Sequence, residues 1–388
     1  MTPGRPVPPP LAKPVYPAPD GPSAGAGTDA AGVLAAARGA VSSDSGLVPL
    51  TVARRAPAAD DVEIAIEFCG LCHSDVHATR GEWGGKVYPL VPGHEIVGTV
   101  SRVGSAVTDF AVGERVGVGC MVDSCRECDS CLDGLEQYCE NGMTGTYGAK
   151  DRRHGGTTQG GYSSSIVVDR RYVLRVPESL DPAAVAPLLC AGITTFSPLR
   201  HFDVAEGDVV GVVGLGGLGH MAVKLAKAMG AKVVVFTTSG PKVAAALELG
   251  ADEVVLSRDE AAMAAADRTI DLIIDTVAAP HDLNPFFRTL RVDGALFQLG
   301  LPSEAMPPVN PGALIRRRIA YAGSLIGGIA ETQEMLDFCA EHGVVADIEV
   351  VGAGQLNEAY DRMVAGDVKY RFVLDTSTLQ APAEEADA

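Results

Sequence analysis

Four cysteines stand close together at Cys125, Cys128, Cys131 and Cys139, a C-x2-C-x2-C-x7-C pattern in a short polar stretch. Four thiolates at this spacing can surround one tetrahedral zinc ion, and structural zinc sites are usually closed by four protein ligands. No helix or strand period is visible here, so we expect a loop whose folding energy comes from the metal. The alternatives are a disulfide pair or a chance cluster, and the rest of the chain argues against both.

A second set of metal-type side chains is dispersed along the chain. Cys72 lies in CGLCHSDVH, His94 in VPGHEIVG and Cys190 in APLLCAGITTFSPLR. Two thiolates and an imidazole leave zinc one open position, which a catalytic zinc needs for its substrate. Spacing cannot identify ligands so far apart in sequence, and Cys190 taken alone reads equally well as a buried core cysteine.

A glycine-rich segment, GLGGLG, contains Gly214, Gly216, Gly217, Leu218 and Gly219 and fits the G-x-G-x-x-G pattern. It follows the apolar run DVVGVV and opens a helical pattern, which is the context that a dinucleotide-binding turn requires. The glycines permit a tight turn and a close approach of the backbone to a pyrophosphate at the helix N-terminus. The alternative is a glycine-rich turn without a ligand.

The end of the next apolar run, KVVVFTT, predicts which dinucleotide binds. An acidic residue there would hold the ribose 2′-hydroxyl of NAD. The chain instead has Thr237, Thr238, Ser239 and Lys242 and no nearby carboxylate, so three hydroxyls and one cation can accept a 2′-phosphate. This chemistry favours NADP over NAD, and the alternative is that these residues only end a strand and cap a helix.

The strand and helix patterns of the chain predict two domains. Residues 29–190 are glycine-rich with short valine and isoleucine runs, which predicts a β-rich, partly barrel-like domain. Residues 191–327 alternate strand and helix patterns, which predicts right-handed βαβ units and a parallel sheet. Residues 328–388 are expected to return to the first domain. The predicted fold class is therefore α/β.

The composition of the chain disfavours several classes of partner and of cellular location. The chain has 388 residues and a net charge of −18, which disfavours nucleic acid and anionic membrane surfaces as partners. The chain has no apolar run of about 20 residues, so no membrane span is expected. Nine cysteines, several at metal spacing, fit reduced thiols in the cytoplasm. Residues 1–28 are rich in proline, glycine and alanine and are expected to be a disordered extension, with a docking role as the alternative.

The order of these motifs resembles one family. CGLCHSDVH, PGHEIVG, the four-cysteine segment, LLCAGITTFSPLR and GLGGLG follow one another as in the zinc-dependent medium-chain alcohol dehydrogenases. FTTSGPK, GSLIGG, ETQEMLDFCAEHG and DVKYRFV are similar to the cinnamyl alcohol dehydrogenase branch, close to the broad-range bacterial NADPH aldehyde reductases. The resemblance covers roughly residues 29–376 and implies a GroES-like catalytic domain beside a Rossmann domain. Residues 1–28 depart from the family.

The resemblance also implies roles for individual residues. Ser74 and His77 match the family's proton relay, and Asp75 is expected to orient a neighbouring ligand. Cys69, Cys120 and Cys339 match no ligand position and are expected to be packing residues. The remaining implied residues are Cys72, His94 and Cys190 as ligands of catalytic zinc, Glu95 as a carboxylate that assists ligand exchange at that metal, and Thr194 and Ser324 near the nicotinamide.

These observations together predict an NADP(H)-dependent aldehyde reductase with two zinc ions per chain, acting reversibly on aromatic and aliphatic aldehydes or primary alcohols. A zinc-free quinone or enoyl reductase of the same superfamily is one alternative, and a non-enzymatic NADPH-binding protein is another. A cytoplasmic homodimer is expected. Met143, Tyr147, Trp83 and Phe286 are each predicted to line the substrate pocket or to belong to the core.

Overall fold

The computed structural model describes residues 32–85, 87–302 and 304–382. The extension predicted over residues 1–28 lies outside the described residues. The described chain forms two compact units. One is Ala191–Gly327, and the other combines residues 32–190 with residues 328–382. We call them the parallel-sheet unit and the mixed-sheet unit.

The strands are numbered in chain order across both units. They are β1 (Val33–Gly39), β2 (Val48–Arg54), β3 (Asp61–Gly70), β4 (Ile96–Val103), β5 (Arg115–Val118), β6 (Met121–Asp123), β7 (Thr144–Gly145), β8 (Ser165–Asp169), β9 (Leu174–Arg175), β10 (Val209–Val213), β11 (Lys232–Thr237), β12 (Glu253–Leu256), β13 (Ile270–Asp275), β14 (Leu290–Gln298), β15 (Ala320–Gly323), β16 (Ile348–Gly352) and β17 (Arg371–Asp375).

The helices are numbered in the same way. They are α1 (His73–Thr79), α2 (Asp129–Leu132), α3 (Pro182–Val185), α4 (Ala191–His201), α5 (Gly219–Ala228), α6 (Lys242–Glu248), α7 (Glu260–Ala265), α8 (Asn284–Thr289), α9 (Pro311–Ile315), α10 (Ile329–His342) and α11 (Leu356–Val364). In the described residues no single helix is long and apolar enough to span a membrane. The bent pair Pro182–Leu189 and Ala191–His201 passes that test only when taken together, as core helices also can.

The parallel-sheet unit contains a six-stranded sheet in the order β12-β11-β10-β13-β14-β15, with every neighbouring pair parallel. The order reverses between β10 and β13, which is the switch point of a doubly wound nucleotide-binding sheet. Strands buried on both faces read as continuous apolar runs, as VVGVV in β10 does. The core includes Phe236, Ile273, Phe286, Phe287 and Leu296. Phe286 therefore belongs to the core, which was one of its two predicted positions.

The mixed-sheet unit is built on a sheet in the order β16-β17-β3-β4-β5-β9, and β8 also pairs with β3. Strand β17 pairs antiparallel with β3, so residues 328–382 join the same sheet as the early part of the chain. The hairpins β1-β2 and β6-β7 are separate small sheets. The predicted α/β fold, with one β-rich unit and one parallel-sheet unit, is confirmed.

Candidate active site

One candidate metal centre lies in the mixed-sheet unit. A ligand atom from each of Cys72, His94, Glu95 and Cys190 lies within 4.8 Å of the others. The His94 Nε2 and Cys190 Sγ atoms are 3.3 Å apart, and the two sulfurs are 4.0 Å apart. Cys72 caps α1 directly after β3, His94 and Glu95 lead into β4, and Cys190 precedes α4. The structure therefore brings together residues that lie up to 118 positions apart.

The protonation of the two thiols suits a cation at this position. The hydrogen bond with Cys190 holds the pKa of Cys72 well below its ordinary value. Hydrogen bonds with Cys120 and Cys72 raise the pKa of Cys190 well above its ordinary value. The Cys72 thiol therefore ionises more readily than the Cys190 thiol. A divalent cation would allow both sulfurs to be thiolates, which is the form that binds zinc.

Asp75 orients the imidazole of His94, as the sequence analysis expects. Its Oδ1 lies 3.0 Å from His94 Nδ1, which turns Nε2 toward the sulfurs. Burial alone would lower the pKa of His94, but the adjacent Asp75 carboxylate raises it well above its ordinary value. A carboxylate on the far nitrogen of a ligating histidine is typical of zinc sites, because it fixes the tautomer and the ring orientation.

Glu95 is fully buried and forms an ion pair with the buried guanidinium of Arg371 on β17. Its Oε1 lies 4.0 Å from His94 Nε2. Burial raises the pKa of Glu95 to about 7, against the opposing effect of Arg371. The sequence predicts no role for Arg371, although this residue lies in the motif DVKYRFV. Nothing in one sequence shows that this arginine pairs with a carboxylate 276 residues away.

Ser74 and His77, the predicted relay, lie on α1 beside Cys72. Ser74 Oγ is 3.6 Å from Cys72 Sγ. His77 Nδ1 contacts the carboxylate of Glu82, and the Glu82 N–H donates to the His77 carbonyl at 2.9 Å. The ring of Trp83 lies 5.1 Å from the His77 ring. This contact of Glu82 is not predictable from the sequence, because a carboxylate five residues after a histidine has no distinctive pattern.

Two further side chains border the candidate metal centre. The Tyr147 ring lies 5.6 Å from the His94 ring, so Tyr147 occupies one of its two predicted positions, at the site. Cys120 was expected to be a packing residue, but it is half-buried beside Cys190. Cys69 and Cys339 are buried, as expected. None of the nine cysteines, all in the described residues, forms a disulfide, which argues against the disulfide alternative for the four-cysteine segment.

The second candidate metal centre is that segment, residues 125–139, which we call the zinc lobe. The sulfurs of its four cysteines lie within 4.8 Å of one another. The backbone N–H of Cys128 donates to Cys125 Sγ at 3.4 Å, and that of Cys125 donates to Cys139 Sγ at 3.4 Å. Such N–H···S contacts stabilise negative charge on sulfur and are typical partners of metal-bound thiolates. The donor set fits one tetrahedral zinc ion.

The zinc lobe packs against the first turn of α10. Glu136 is buried and its Oε2 accepts a hydrogen bond from the Ile329 N–H at 3.1 Å. At Gly328 a Cβ atom would lie 1.8 Å from the Gly134 carbonyl oxygen, so only glycine fits there. Gly328 itself supplies no side-chain cap to α10. The lobe therefore provides the carboxylate that caps this helix.

The glycine loop between β10 and α5 has the form that a dinucleotide requires. Gly214 has φ +88°, which favours glycine, and a Cβ at Gly219 would lie 2.2 Å from the Gly214 carbonyl oxygen. A Cβ at Gly216 would meet nothing within 4 Å, so the backbone faces open space at this point. Turn, open approach and close helix–strand packing are the three roles of glycine in this motif.

The predicted 2′-phosphate residues surround the end of β11 beside this loop. Lys242 Nζ lies 2.9 Å from the Leu215 carbonyl oxygen, so the lysine reaches from the start of α6 to the glycine loop. Thr237 is buried and accepts the Ser239 N–H at 3.2 Å, whereas Thr238 is exposed. The structure thus brings a lysine and hydroxyl-bearing residues to one edge of the parallel sheet.

Thr194 and Ser324 also lie in the parallel-sheet unit. Thr194 is buried on α4, and its Oγ1 has no hydrogen-bond partner among residues 32–85, 87–302 and 304–382. Ser324 directly follows β15 and donates its N–H to the Gln298 carbonyl at 3.4 Å. An unpaired buried hydroxyl is available to a ligand, because burial without a partner costs free energy.

Family models and a known relative match this chain over most of its length. Residues 58–178 match the alcohol dehydrogenase GroES-like domain, and residues 217–341 match the zinc-binding dehydrogenase family. The chain is 58% identical to the aldehyde reductase YahK of Escherichia coli over 344 residues, which cover 88% of this chain and 98% of the relative.

Two solved structures are also similar. A cinnamyl alcohol dehydrogenase from Sorghum bicolor has a TM-score of 0.87 at 45% identity, covering 90% of this chain and 100% of that one. The CAD of Helicobacter pylori, complexed with NADP(H), has a TM-score of 0.84 at 39% identity, with the same coverage.

Proposed function

Because the chain belongs to the zinc-dependent alcohol dehydrogenase family, we propose that it reduces aldehydes reversibly to primary alcohols with NADPH. The observation that supports this function is the cluster of Cys72, His94 and Cys190, which Glu95 adjoins, with Ser74 Oγ 3.6 Å from the Cys72 sulfur. Three protein ligands leave a position for substrate, whereas the four cysteines of the zinc lobe form a closed set. The protein therefore uses two zinc ions in different ways.

Zinc at the three-ligand centre supplies Lewis acidity, which favours the carbonyl's developing negative charge in the reduction. The protein's own residues hold the centre in shape. Asp75 fixes the orientation of His94, and the buried pair of Arg371 and Glu95 places a carboxylate 4.0 Å from the His94 ligand nitrogen. We assign Glu95 the role of assisting ligand exchange, since one of its carboxylate oxygens lies within 4.8 Å of the ligand atoms of the other three residues.

The reduction also requires a proton on the substrate oxygen, and Ser74 and His77 are the residues assigned to deliver it. We propose that Ser74 donates a hydrogen bond to the substrate oxygen and that the proton reaches this oxygen from His77, by way of Ser74. Glu82 contacts Nδ1 of His77, so it orients the imidazole. In the direction of alcohol oxidation the proton travels the other way. This route gives the alcohol's proton an exit to solvent.

NADP(H) supplies and accepts the hydride. We assign residues 191–327 as the cofactor-binding domain and residues 29–190 with 328–388 as the catalytic domain. The glycine loop would receive the pyrophosphate at the N-terminus of α5, and the end of β11 would receive the 2′-phosphate. The residues assigned to the cofactor are Thr194, Gly214, Gly216, Gly217, Leu218, Gly219, Thr237, Thr238, Ser239, Lys242 and Ser324.

The two alternative functions would not require all of these groups. A zinc-free quinone or enoyl reductase needs neither the zinc lobe nor Cys72, His94 and Cys190 together. A non-enzymatic NADPH-binding protein needs neither Ser74 nor His77 in place. The substrate is a small aldehyde or alcohol, and we propose that the protein acts as a cytoplasmic homodimer without nucleic acid or membrane partners.

Turnover of benzaldehyde with NADPH, followed by loss of nicotinamide absorbance, tests this function. We expect wild-type protein to reduce benzaldehyde, and Cys72→Ser to lose turnover while retaining NADPH binding, because Cys72 belongs to the metal centre and not to the glycine loop. Absence of wild-type turnover with zinc-loaded protein would exclude the reductase. Turnover by Cys72→Ser at the wild-type rate would exclude this metal centre.

A further inference from the structure

A cavity of about 260 Å³ lies in the mixed-sheet unit, and none of the residues assigned to catalysis lines it. Its walls come from the end of β2, the hairpin β6-β7, the loop before β8 and β8 itself. The lining includes three arginines, Arg54, Arg55 and Arg153, and several hydroxyl-bearing side chains. None of these three arginines is among the residues assigned above to the metals, the relay or the cofactor.

Arg54 is a buried cation without a carboxylate partner in the described residues. It is 9% exposed. Its guanidinium donates to the carbonyls of Gln159, Gly160 and Ser165, each at 2.8 Å, and to Ser163 Oγ at 2.7 Å. Burial lowers its pKa to about 9. Neutral acceptors satisfy the guanidinium geometrically but do not neutralise its charge, so a nearby anion would be stabilising.

Two further arginines at the cavity have unused donors. Arg55 forms an ion pair with Asp61, and Arg153 with Asp169, in both cases through Nη1 alone. Within residues 32–85, 87–302 and 304–382, their Nε and Nη2 atoms have no hydrogen-bond partner. A guanidinium with a free pair of N–H groups suits a phosphate or carboxylate, which accepts two parallel hydrogen bonds.

The cavity's carboxylates are already engaged and would not repel an anion strongly. Asp169 lies within 3.2 Å of arginine nitrogens from Arg126, Arg153 and Arg171. Asp123 pairs with Arg126 as well. The Asp151 Oδ1 atom accepts the N–H groups of residues 153 and 154, which shapes the loop that carries Arg153. The ion pairs of Arg55, Arg126, Arg153 and Arg171 thus engage Asp60, Asp61, Asp123 and Asp169, which leaves the charge of Arg54 without a carboxylate partner in the described residues.

One buried hydroxyl at the cavity has no hydrogen-bond partner in the described residues. Thr144 on β7 is 2% exposed and lines this cavity, and its Oγ1 has no hydrogen-bond partner in the described part of the chain. A buried hydroxyl normally finds a partner, because an unmade hydrogen bond costs about 1–3 kcal/mol. The unpaired hydroxyl and the uncompensated arginine thus lie on one cavity.

We propose that this cavity binds a small tetrahedral oxyanion, inorganic phosphate or a phosphate monoester, between Arg153 and Arg55 with the Thr144 hydroxyl as a further donor. The cavity volume accommodates a phosphate group with a short substituent. Because the cavity is bounded by β6, β7 and β8, an anion there would connect the loop of Arg153 to the hairpin that leads into the zinc lobe. Its binding would stabilise the mixed-sheet unit through the folded state.

Calorimetric titration of inorganic phosphate into zinc-loaded, NADPH-saturated enzyme tests the proposal. NADPH fills the predicted 2′-phosphate site, and sodium chloride keeps the ionic strength constant. We expect one phosphate per chain with a Kd of about 1 mM or tighter, and Arg153→Gln should weaken it by about tenfold. Arg318→Gln, which removes an exposed arginine from the other unit, should leave the Kd unchanged.

Thr144→Val keeps the proposal testable if Arg153→Gln fails to fold. The hydroxyl has no partner to lose, so we expect an unchanged thermal midpoint in chloride together with weaker phosphate binding. Titration of glycerol 3-phosphate distinguishes the two sources of the phosphate group, since tighter binding than phosphate indicates a monoester and weaker binding indicates the free ion. Absence of one-to-one binding of either ligand below about 10 mM, or equal affinity in wild type, Arg153→Gln and Thr144→Val, would overturn the proposal.

Discussion

The Asp75 carboxylate connects several parts of the candidate active site. Its Oδ1 accepts from the Gly93 N–H at 3.1 Å and lies against His94 Nδ1, while its Oδ2 accepts from the Cys72 N–H at 2.9 Å. The Tyr162 hydroxyl donates to Oδ2 at 3.2 Å. One buried side chain therefore caps α1, orients one metal ligand and fixes the backbone of another. This explains why an aspartate stands three residues after Cys72.

His77 offers the sharpest test of the relay. We expect His77→Ala to slow aldehyde reduction near neutral pH by about 10- to 100-fold, at or below the low end of general acid–base effects, and to flatten the pH–rate profile. Glu82→Gln should give a smaller loss, because an amide can still hold the imidazole but carries no charge. Arg80→Gln is the matched control, since Arg80 ends the same helix and pairs with exposed Asp361. An unchanged profile in His77→Ala would remove His77 from the mechanism.

Cofactor choice is also decided by a few residues. Lys242 and the hydroxyls near the end of β11 can each make charge-assisted hydrogen bonds to a 2′-phosphate, worth about 1.5–3 kcal/mol apiece. Two such contacts, even when screened, should favour NADPH over NADH by at least about tenfold in kcat/KM, which is 1.4 kcal/mol. Thr238→Asp should reverse this preference, because a carboxylate repels the phosphate and accepts from the ribose.

The control for this prediction is Thr238→Asn, which has the same shape as the aspartate variant without its charge. It should weaken NADPH use only modestly. The measurement is kcat/KM for both cofactors at one fixed aldehyde concentration. Equal use of NADH and NADPH by the wild type would contradict the 2′-phosphate assignment.

The zinc lobe caps the N-terminus of helix α10. Its Glu136 satisfies an N–H at the start of α10, a helix 193 residues later in the chain. A lobe of this kind has little apolar core, so the metal must hold Glu136 in place. We infer that the lobe stabilises the mixed-sheet unit.

Loss of one lobe ligand should therefore affect stability more than chemistry. We expect Cys128→Ser to contain about one zinc ion per chain where the wild type contains two, and to unfold at a lower temperature. Its residual folded fraction should still reduce benzaldehyde at nearly the wild-type rate per catalytic zinc. Metal analysis, thermal unfolding and turnover on one preparation check this, and an unaltered zinc content and thermal midpoint would count against the lobe as a zinc site.

The elements were predictable where local pattern dictates them. The valine run of β10, the glycines after it and the helix of α5 follow from apolar period and turn chemistry, and the structure has them in that order. The pairing of β17 with β3 brings Arg371 to Glu95, and no local pattern encodes that pairing. The contact of Glu82 with His77 is local, but a lone carboxylate on a turn does not differ in sequence from a solvated one.

Strand β15 is an edge strand of the parallel sheet. Apolar side chains are exposed around it: Ile315 is 79% exposed and Leu325 is 46% exposed. An edge strand with apolar neighbours is a ready surface for pairing with another copy of the chain. We propose that a closed two-fold pairing at this edge forms the homodimer and covers these side chains.

We expect wild-type protein to have twice the mass of the 40.1 kDa chain by light scattering at micromolar concentration. Ile315→Asp combined with Leu325→Asp should shift it to the monomer, because burial of two carboxylates in an apolar interface costs several kcal/mol. Val112→Asp is the matched control, since Val112 is 65% exposed in the other unit and should remain dimeric after substitution. A monomeric wild type, or a double variant that stays dimeric, would show that the β15 edge is not the interface.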